Sequence, residues 1–397
     1  MRRFYNTIVF LFFFGFSFSQ NLSPGTTDSF IFSPPHPLER PTVEVFYHIP
    51  SGDISSMPIL FSFHGASRNA NDYRDFWINM ANENEFMVFA PEFSSSNYPG
   101  LGDNYLMGNV FEDGDNPEAG ELNSPNHWTF SVIEPLFEYI KLDISGSQES
   151  YNAWGHSGGA QFLHRFAMFV PQSNLGIGIC SNAGWYTVPE DNINYPYGIG
   201  LPFGSTNLNV FDFLQNSFDG LNINYQEFFQ KNLLIHLGTN DNDPDSSGLR
   251  HNSVVDNQQG LNRYDRGHYF FETSQNEAQF LNLQFNWLQF DAEDISHNDQ
   301  LMANDALQYL INPPLNISLH QIKTKLFPNP VKDFLHLNST IPIRIIEVFN
   351  SVGQLIFRYE PRKNYLDIDM SLLLDGMYTI KIITENGIQN LLILKNS

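Results

Sequence analysis

Cysteine is almost missing from this chain: Cys180 is the only one in 397 residues. A lone thiol excludes an internal disulfide framework and any zinc site built from several thiolates, and its place in the apolar run 177–180 suits packing within a strand. Positive charge is scarce too, with 20 Lys and Arg against 43 Asp and Glu and a formal net charge of −23. The shortage is uneven. Residues 323–397 hold nine basic and seven acidic side chains, a balance of +2, which leaves 11 basic and 36 acidic residues, or −25, for the remainder. A surface of that sign argues against nucleic acid or anionic lipid as a partner and hinders polyanions from approaching. Long apolar runs are missing everywhere except near the amino terminus. There, residues 8–16 follow Arg2 and Arg3 and precede Ser17-Phe18-Ser19, the layout of a secretory signal peptide over 1–19 with cleavage after Ser19. The run is too short to span a bilayer, so the mature chain is expected to be exported without a membrane span.

What the sequence does contain begins at residues 153–159, Ala-Trp-Gly-His-Ser-Gly-Gly. Gly155, Ser157 and Gly159 form a G-x-S-x-G pattern, in which a serine occupies a tight turn between a strand and a helix and presents its Oγ above the sheet. The flanks agree with that placement. Residues 149–154 read as a short strand, and Phe162, Phe166, Phe169 and their neighbours recur at helical spacing directly after the serine. Upstream, the apolar run 59–63 leads into His64-Gly65-Ala66-Ser67, a buried strand ending in a small-residue loop. The backbone N–H groups of Ala66 and Gly158 are the expected pair of donors to a developing oxyanion.

An acid must lie just past a strand end to orient the base. The run 232–237 meets Gly238-Thr239-Asn240-Asp241, which makes Asp241 the candidate and Asp243 the alternative. The acidic stretch to Asp245 also offers oxygen ligands for calcium, but it lacks the length and closing glutamate of an EF-hand loop. No metal and no cofactor are expected. Three histidines follow the acid before the chain changes character: His251, His268 and His297. His251 comes too soon after Asp241, and His268 sits in a segment that reads as a semi-buried connection. His297 fits best, because residues 284–290 read as the last strand and 302–310 as a final helix, placing it at the carboxyl edge of a parallel sheet. His268 stays open as the alternative base.

With its order Ser157, Asp241, His297 behind His64-Gly65, the chain resembles the α/β-hydrolase superfamily, and within it the secreted polyhydroxybutyrate-depolymerase-like esterases. The likeness covers residues 40–312 and rests on Phe63 through Asn69, on 155–166 and on Asn182-Ala183-Gly184-Trp185-Tyr186. It implies an α/β fold with a mostly parallel sheet and a serine esterase acting through an acyl-enzyme, a polyester or hydroxyalkanoate depolymerase among the options. A feruloyl or acetyl carbohydrate esterase, a serine peptidase and a non-catalytic surface binding protein are the alternatives. In one respect the chain departs from the family: the base there follows a glycine, whereas His297 follows Ser296. Trp185 and Tyr186 are candidate walls of a substrate pocket, and the long segment 101–129 a candidate border of the cleft.

Asn312-Pro313-Pro314 ends this part, since the prolines cannot continue a helix. With a lead-in over 20–39 and a linker over 313–322, the catalytic region spans 40–312 and a second module spans 323–397. In that module, short β-type runs at 334–337, 343–349, 354–359, 377–383 and 389–394 alternate with turns such as Ser351-Val352-Gly353 and Asp375-Gly376. They predict a small all-β domain, sandwich-like, with no residues that suggest chemistry. Leu326-Phe327-Pro328-Asn329-Pro330-Val331, with Val348 through Gly353 and Leu374 through Tyr378, resembles the carboxy-terminal sorting domain of the type IX secretion system of Bacteroidota. That likeness implies the type IX machinery as a partner and a secreted or outer-surface location; a carbohydrate-binding module is the rival. A monomer is expected.

Overall fold

The structure is a computed structural model that describes residues 22–203, 208–313, 324–350, 354–384 and 387–396. The signal-peptide reading over 1–19, the linker beyond residue 313 and the turn Ser351-Val352-Gly353 lie outside the described residues. The chain divides into two units, Met1–Asn312 and Pro313–Ser397.

In the first unit, β1 (Thr26–Phe32), β2 (Val43–Ile49), β3 (Ile59–Phe63), β4 (Met87–Glu92), β5 (Tyr151–His156), β6 (Leu175–Ser181), β7 (Asn232–Gly238) and β8 (Leu288–Ala292) form one sheet. Their order is β1-β2-β4-β3-β5-β6-β7-β8. β2 runs antiparallel to both β1 and β4, and β3 to β8 lie parallel to one another. Successive side chains on a strand face opposite sides, and both sides are dry here. Tyr151 and Ala153 of β5 join the core that holds Phe162 and Phe270, while Trp154, the residue after Ala153, joins the core of Tyr73, Trp77, Met302 and Ala306. Two-sided burial explains why the central strands are continuous apolar runs rather than alternating ones.

Several boundaries differ from the sequence reading, each for a local reason. The lead-in at 20–39 contributes β1, so the sheet starts before residue 40. The last strand starts at Leu288 rather than Gln284, because Phe285 and Trp287 pack against Phe229 in an aromatic cluster and Asn286 N–H donates to the Phe229 carbonyl, outside the ladder. His268, expected on a connection, lies within the helix Arg263–Phe280. Its inward positions are Arg263, Arg266, Gly267, Phe270, Ser274 and Ala278, too polar a stripe to register as amphipathic.

The second unit is a six-stranded antiparallel sheet of β9 (Thr324–Phe327), β10 (Phe334–Asn350), β11 (Leu355–Tyr359), β12 (Lys363–Asp369), β13 (Gly376–Thr384) and β14 (Gly387–Lys395). The two runs expected at 334–337 and 343–349 are one strand. The first half of β10 pairs with β9 and β12, the second half with β11 and β13. Pro342 sits where the β12 register slips between Asn338 and Ile343, the kind of irregularity that tolerates a missing N–H. Leu335, Leu337, Ile346, Val348, Ile368, Ile380 and Ile382 fill the core of this domain.

Candidate active site

β5 ends at His156, the helix Gly158–Phe169 begins two residues later, and Ser157 between them has φ 56° and ψ −114°. A side chain in the left-handed region is strained, and such strain persists only where the surroundings enforce it. Here they do. A Cβ on Gly155 would lie 2.3 Å from the Gly159 carbonyl oxygen, and one on Gly159 would lie 1.9 Å from the Phe63 carbonyl oxygen. Both glycines are required by close backbone approach, and Ser157 N–H is fixed by donation to the Ser181 carbonyl at 2.9 Å.

Across the sheet edge, His297 Nε2 lies 3.0 Å from Ser157 Oγ, and His297 Nδ1 lies 2.6 Å from Asp241 Oδ2. The proton on Nδ1 therefore faces the carboxylate and leaves Nε2 as the acceptor for the serine hydroxyl. Asp241 is only 3% exposed. It follows β7 by a turn in which its N–H donates to the Gly238 carbonyl, while its own carbonyl accepts from Tyr264 N–H. The His297 loop packs so closely on this turn that a Cβ on Gly238 would stand 2.4 Å from the Ile295 carbonyl oxygen. Asn182 ties the two together. Its Oδ1 accepts from Gly238 N–H at 2.8 Å and its Nδ2 donates to the Ser296 carbonyl at 3.4 Å.

The loop after β3 abuts Ser157. A Cβ on Gly158 would come within 3.2 Å of Ala66 N, and one on Gly65 within 3.7 Å of Ser157 Cβ. Ala66 is exposed, and the amides at the start of the helix Gly158–Phe169 have no intrahelical acceptor. His64 anchors this loop from below. Phe93 N–H donates to its Nε2 at 3.1 Å, its Nδ1–H donates to the Gly65 carbonyl at 2.9 Å, and Tyr105 donates to its carbonyl at 2.7 Å. Complete burial lowers the His64 pKa to about 4, so it stays neutral.

Ser157, Asp241 and His297 thus come together, beside Ala66 and Gly158. The other sequence candidates do not. Asp243 caps its own turn, accepting from Asp245 N–H. His268 faces Asp291 at 3.5 Å and packs edge-on against Tyr264. Tyr186 corrects the expectation of a pocket wall: it is fully buried, its ring stacked on Phe270 at 4.4 Å, because the chain turns back into the core after β6. Trp185, 2% exposed, packs against the guanidinium groups of Arg165 at 4.0 Å and Arg250 at 4.8 Å. From the 101–129 segment, the turn Leu101–Leu106 covers the elbow, with Leu106 3.1 Å from the position of a Gly158 Cβ and its carbonyl accepting from Arg165. Among the described residues, no group of three or more His, Cys, Asp or Glu is arranged to hold a metal.

Three residues at the site escaped sequence reasoning. Asn182 ties the Asp241 turn to the His297 loop, Arg263 contacts Asp241, and His156 lies with its ring 4.5 Å from that of His297. His156 is the one with a local signal, as the residue before the serine. Burial, with the charges of His297 and Arg263 adding to it, drives its pKa well below the usual histidine value.

A protein-family profile described as "Secretion system C-terminal sorting domain" matches residues 325–395. Poly(aspartic acid) hydrolase-1 from Sphingomonas sp. KT-1 is 32% identical, with 72% of this chain and 98% of that one covered and a TM-score of 0.62. The LpqC poly(3-hydroxybutyrate) depolymerase from Bordetella parapertussis is 23% identical, covers 75% of this chain and 94% of its own, and superposes with a TM-score of 0.61, a likeness of fold. No curated protein matches the chain.

Proposed function

The chain belongs to the α/β-hydrolase superfamily and is carried to the cell exterior by its sorting domain, and on that premise we propose that it is a serine hydrolase cleaving carboxylic esters through an acyl-enzyme. The observation that carries this reading is the hydrogen-bonded chain from Ser157 Oγ through His297 to the buried Asp241 carboxylate, at 3.0 and 2.6 Å. Ser157 Oγ attacks the carbonyl carbon while His297 Nε2 takes its proton. The carbonyl oxygen becomes an oxyanion facing the Ala66 and Gly158 N–H groups, each worth about 3 kcal/mol in the transition state. As the tetrahedral intermediate collapses, the imidazolium returns its proton to the leaving alcohol. Water then enters by the same route and frees the acid. Asp241 holds the tautomer and stabilises the imidazolium throughout.

An extended substrate suits the surroundings. Ser157 is only half-buried, and Ala66, Ser67, Ser296 and Asn298 around it are exposed, so a polymer chain can reach the serine from outside without its end being swallowed. A hydroxyalkanoate or similar polyester is the first reading. A second reading, hydrolysis of poly(aspartic acid), is favoured by the 32% identical relative. Against it stands the charge of −25 outside residues 323–397, which repels a polyanion over the Debye length of about 8 Å at physiological ionic strength.

The test is turnover of short-chain nitrophenyl esters, hydroxybutyrate oligomers, feruloylated sugars and poly(aspartic acid) by the mature protein and by S157A, each at low and high salt. Ester cleavage independent of salt and absent in S157A is expected. Activity surviving in S157A would end the serine mechanism. Cleavage of poly(aspartic acid) alone, rising with salt as the repulsion is screened, would select the second reading.

A further inference from the structure

The two oxygens of Asp241 face different partners. Oδ2 accepts from His297 Nδ1 at 2.6 Å, and Oδ1 lies 3.4 Å from Arg263 Nη1. The side chains of Asp241 and Arg263 are both 2% exposed. The guanidinium is held in place: Nη1 donates to Ser246 Oγ at 2.6 Å and Nη2 to the Ser247 carbonyl at 3.0 Å. Its own backbone starts the helix Arg263–Phe280, whose next residue, Tyr264, donates its N–H to the Asp241 carbonyl. A loop clamp alone would be served by neutral donors. Burying a permanent cation costs several kcal/mol unless it is paired, and this one is placed one carboxylate away from the general base.

We propose that Arg263 is a positioning residue that sets the basicity of His297. By sharing the Asp241 carboxylate, it weakens that carboxylate's stabilisation of the imidazolium, so His297 remains neutral and ready to accept a proton at lower pH than a base paired with a free carboxylate would. A nearby cation disfavours a second positive charge, and in a dry site that effect is large. The same guanidinium contributes to keeping His156 neutral.

The remaining groups around His297 act more weakly or not at all. Ser157 from the elbow is uncharged. His156 from β5 is neutral, and Tyr73, whose hydroxyl lies 3.3 Å from His156 Nδ1, is kept protonated by burial. Glu293 and Asp294, on the histidine's own loop, are exposed, and Asp299 is half-exposed, so water screens their opposite influence.

The inference rests on the Ser157–His297–Asp241 reading, and its test separates the two. The pH dependence of kcat/KM on a nitrophenyl ester is measured for the wild type, R263K and R263Q, beside S157A. Losing the cation is expected to move the acid limb of R263Q up by about one pH unit, a tenfold loss of kcat/KM on the acid side of the limb, while R263K holds the limb within about 0.3 unit. An unmoved limb in an R263Q that melts like the wild type would overturn the proposal. So would a shift in R263K as large as that in R263Q. Should R263Q fail to fold, R263K decides: it keeps the charge but loses the fork of hydrogen bonds to Ser246 and Ser247, so a full-unit shift there refutes a charge-based role. Activity remaining in S157A would instead bring down the triad reading itself.

Discussion

Asp241→Asn is the substitution whose outcome the geometry constrains most closely. An asparagine fits the same space, but its carbonyl and amide ends are no longer equivalent. Arg263 Nη1, a donor that cannot accept, faces Oδ1 at 3.4 Å, so the carbonyl end turns toward Arg263. The NH2 end is then aimed at His297 Nδ1, 2.6 Å from the atom it replaces. Two donors cannot share that contact, so the imidazole moves its proton to Nε2, the nitrogen 3.0 Å from Ser157 Oγ. With the wrong tautomer the base holds a proton where it should accept one. Loss of kcat by about 10⁴ is expected, equivalent to roughly 5 kcal/mol at 1.36 kcal/mol per decade, while KM and the fold change little. Steady-state hydrolysis of a nitrophenyl ester gives the rate, and a thermal melt confirms the fold. A loss below about 100-fold in a variant that melts like the wild type would refute the argument, since the tautomer would then not be controlled by the carboxylate.

Gly159→Ala places a Cβ 1.9 Å from the Phe63 carbonyl oxygen and 2.6 Å from its carbon. Backbone cannot retreat as a flexible side chain would, so a destabilisation of about 3 kcal/mol is expected by denaturant titration, against less than about 0.5 kcal/mol for Gly120→Ala, whose Cβ meets nothing within 4 Å. Equal unfolding midpoints for the two would contradict the close approach. Acid should also destabilise the first unit. Burial lowers the pKa of His64 in the folded chain to about 4 against about 6.5 for an unfolded histidine, so between these values the unfolded chain binds a proton that the folded one refuses. Stability is therefore full above pH 6.5 and falls as pH drops toward 4, by about 3 kcal/mol from this group. Burial depresses His156 and His164 in the same direction. An unfolding free energy flat from pH 7 to 4.5 would show that these histidines are not buried neutral.

The features legible in the sequence are those whose physics is local. Gly155 and Gly159 bracket Ser157 because a turn that tight admits no side chain, so the pattern carries its own geometry. β3, β6 and β7 are legible because a strand buried on both faces has to be apolar throughout. Asp241 follows from the strand end, and His297 from its place between the last strand and the last helix. What remained hidden depends on partners distant in the chain. Nothing around Arg263 signals a carboxylate 22 residues earlier, and nothing around Asn182 signals the Ser296 carbonyl 114 residues later. The burial of Tyr186 is not legible because position after a strand end says where the backbone emerges, whereas the partner that draws the ring inward is Phe270 on a later helix. In the second domain, the continuity of β10 between the runs 334–337 and 343–349 is not legible because a slip of register shows only in the paired strand.

β8 is a five-residue edge strand, four of its residues only partly buried, and among the described residues its one sheet partner is β7. The loop it launches carries His297, so the proposed general base hangs from the margin of the sheet while the proposed nucleophile, Ser157, is set in the middle. Margins open at lower free energy than centres. A transient detachment of β8 and the helix Asp299–Ile311 would switch the enzyme off with the elbow and most of the core intact. Inactivation in mild denaturant would therefore precede the loss of bulk secondary structure, and a ligand bridging Ser157 and His297 would protect that margin first.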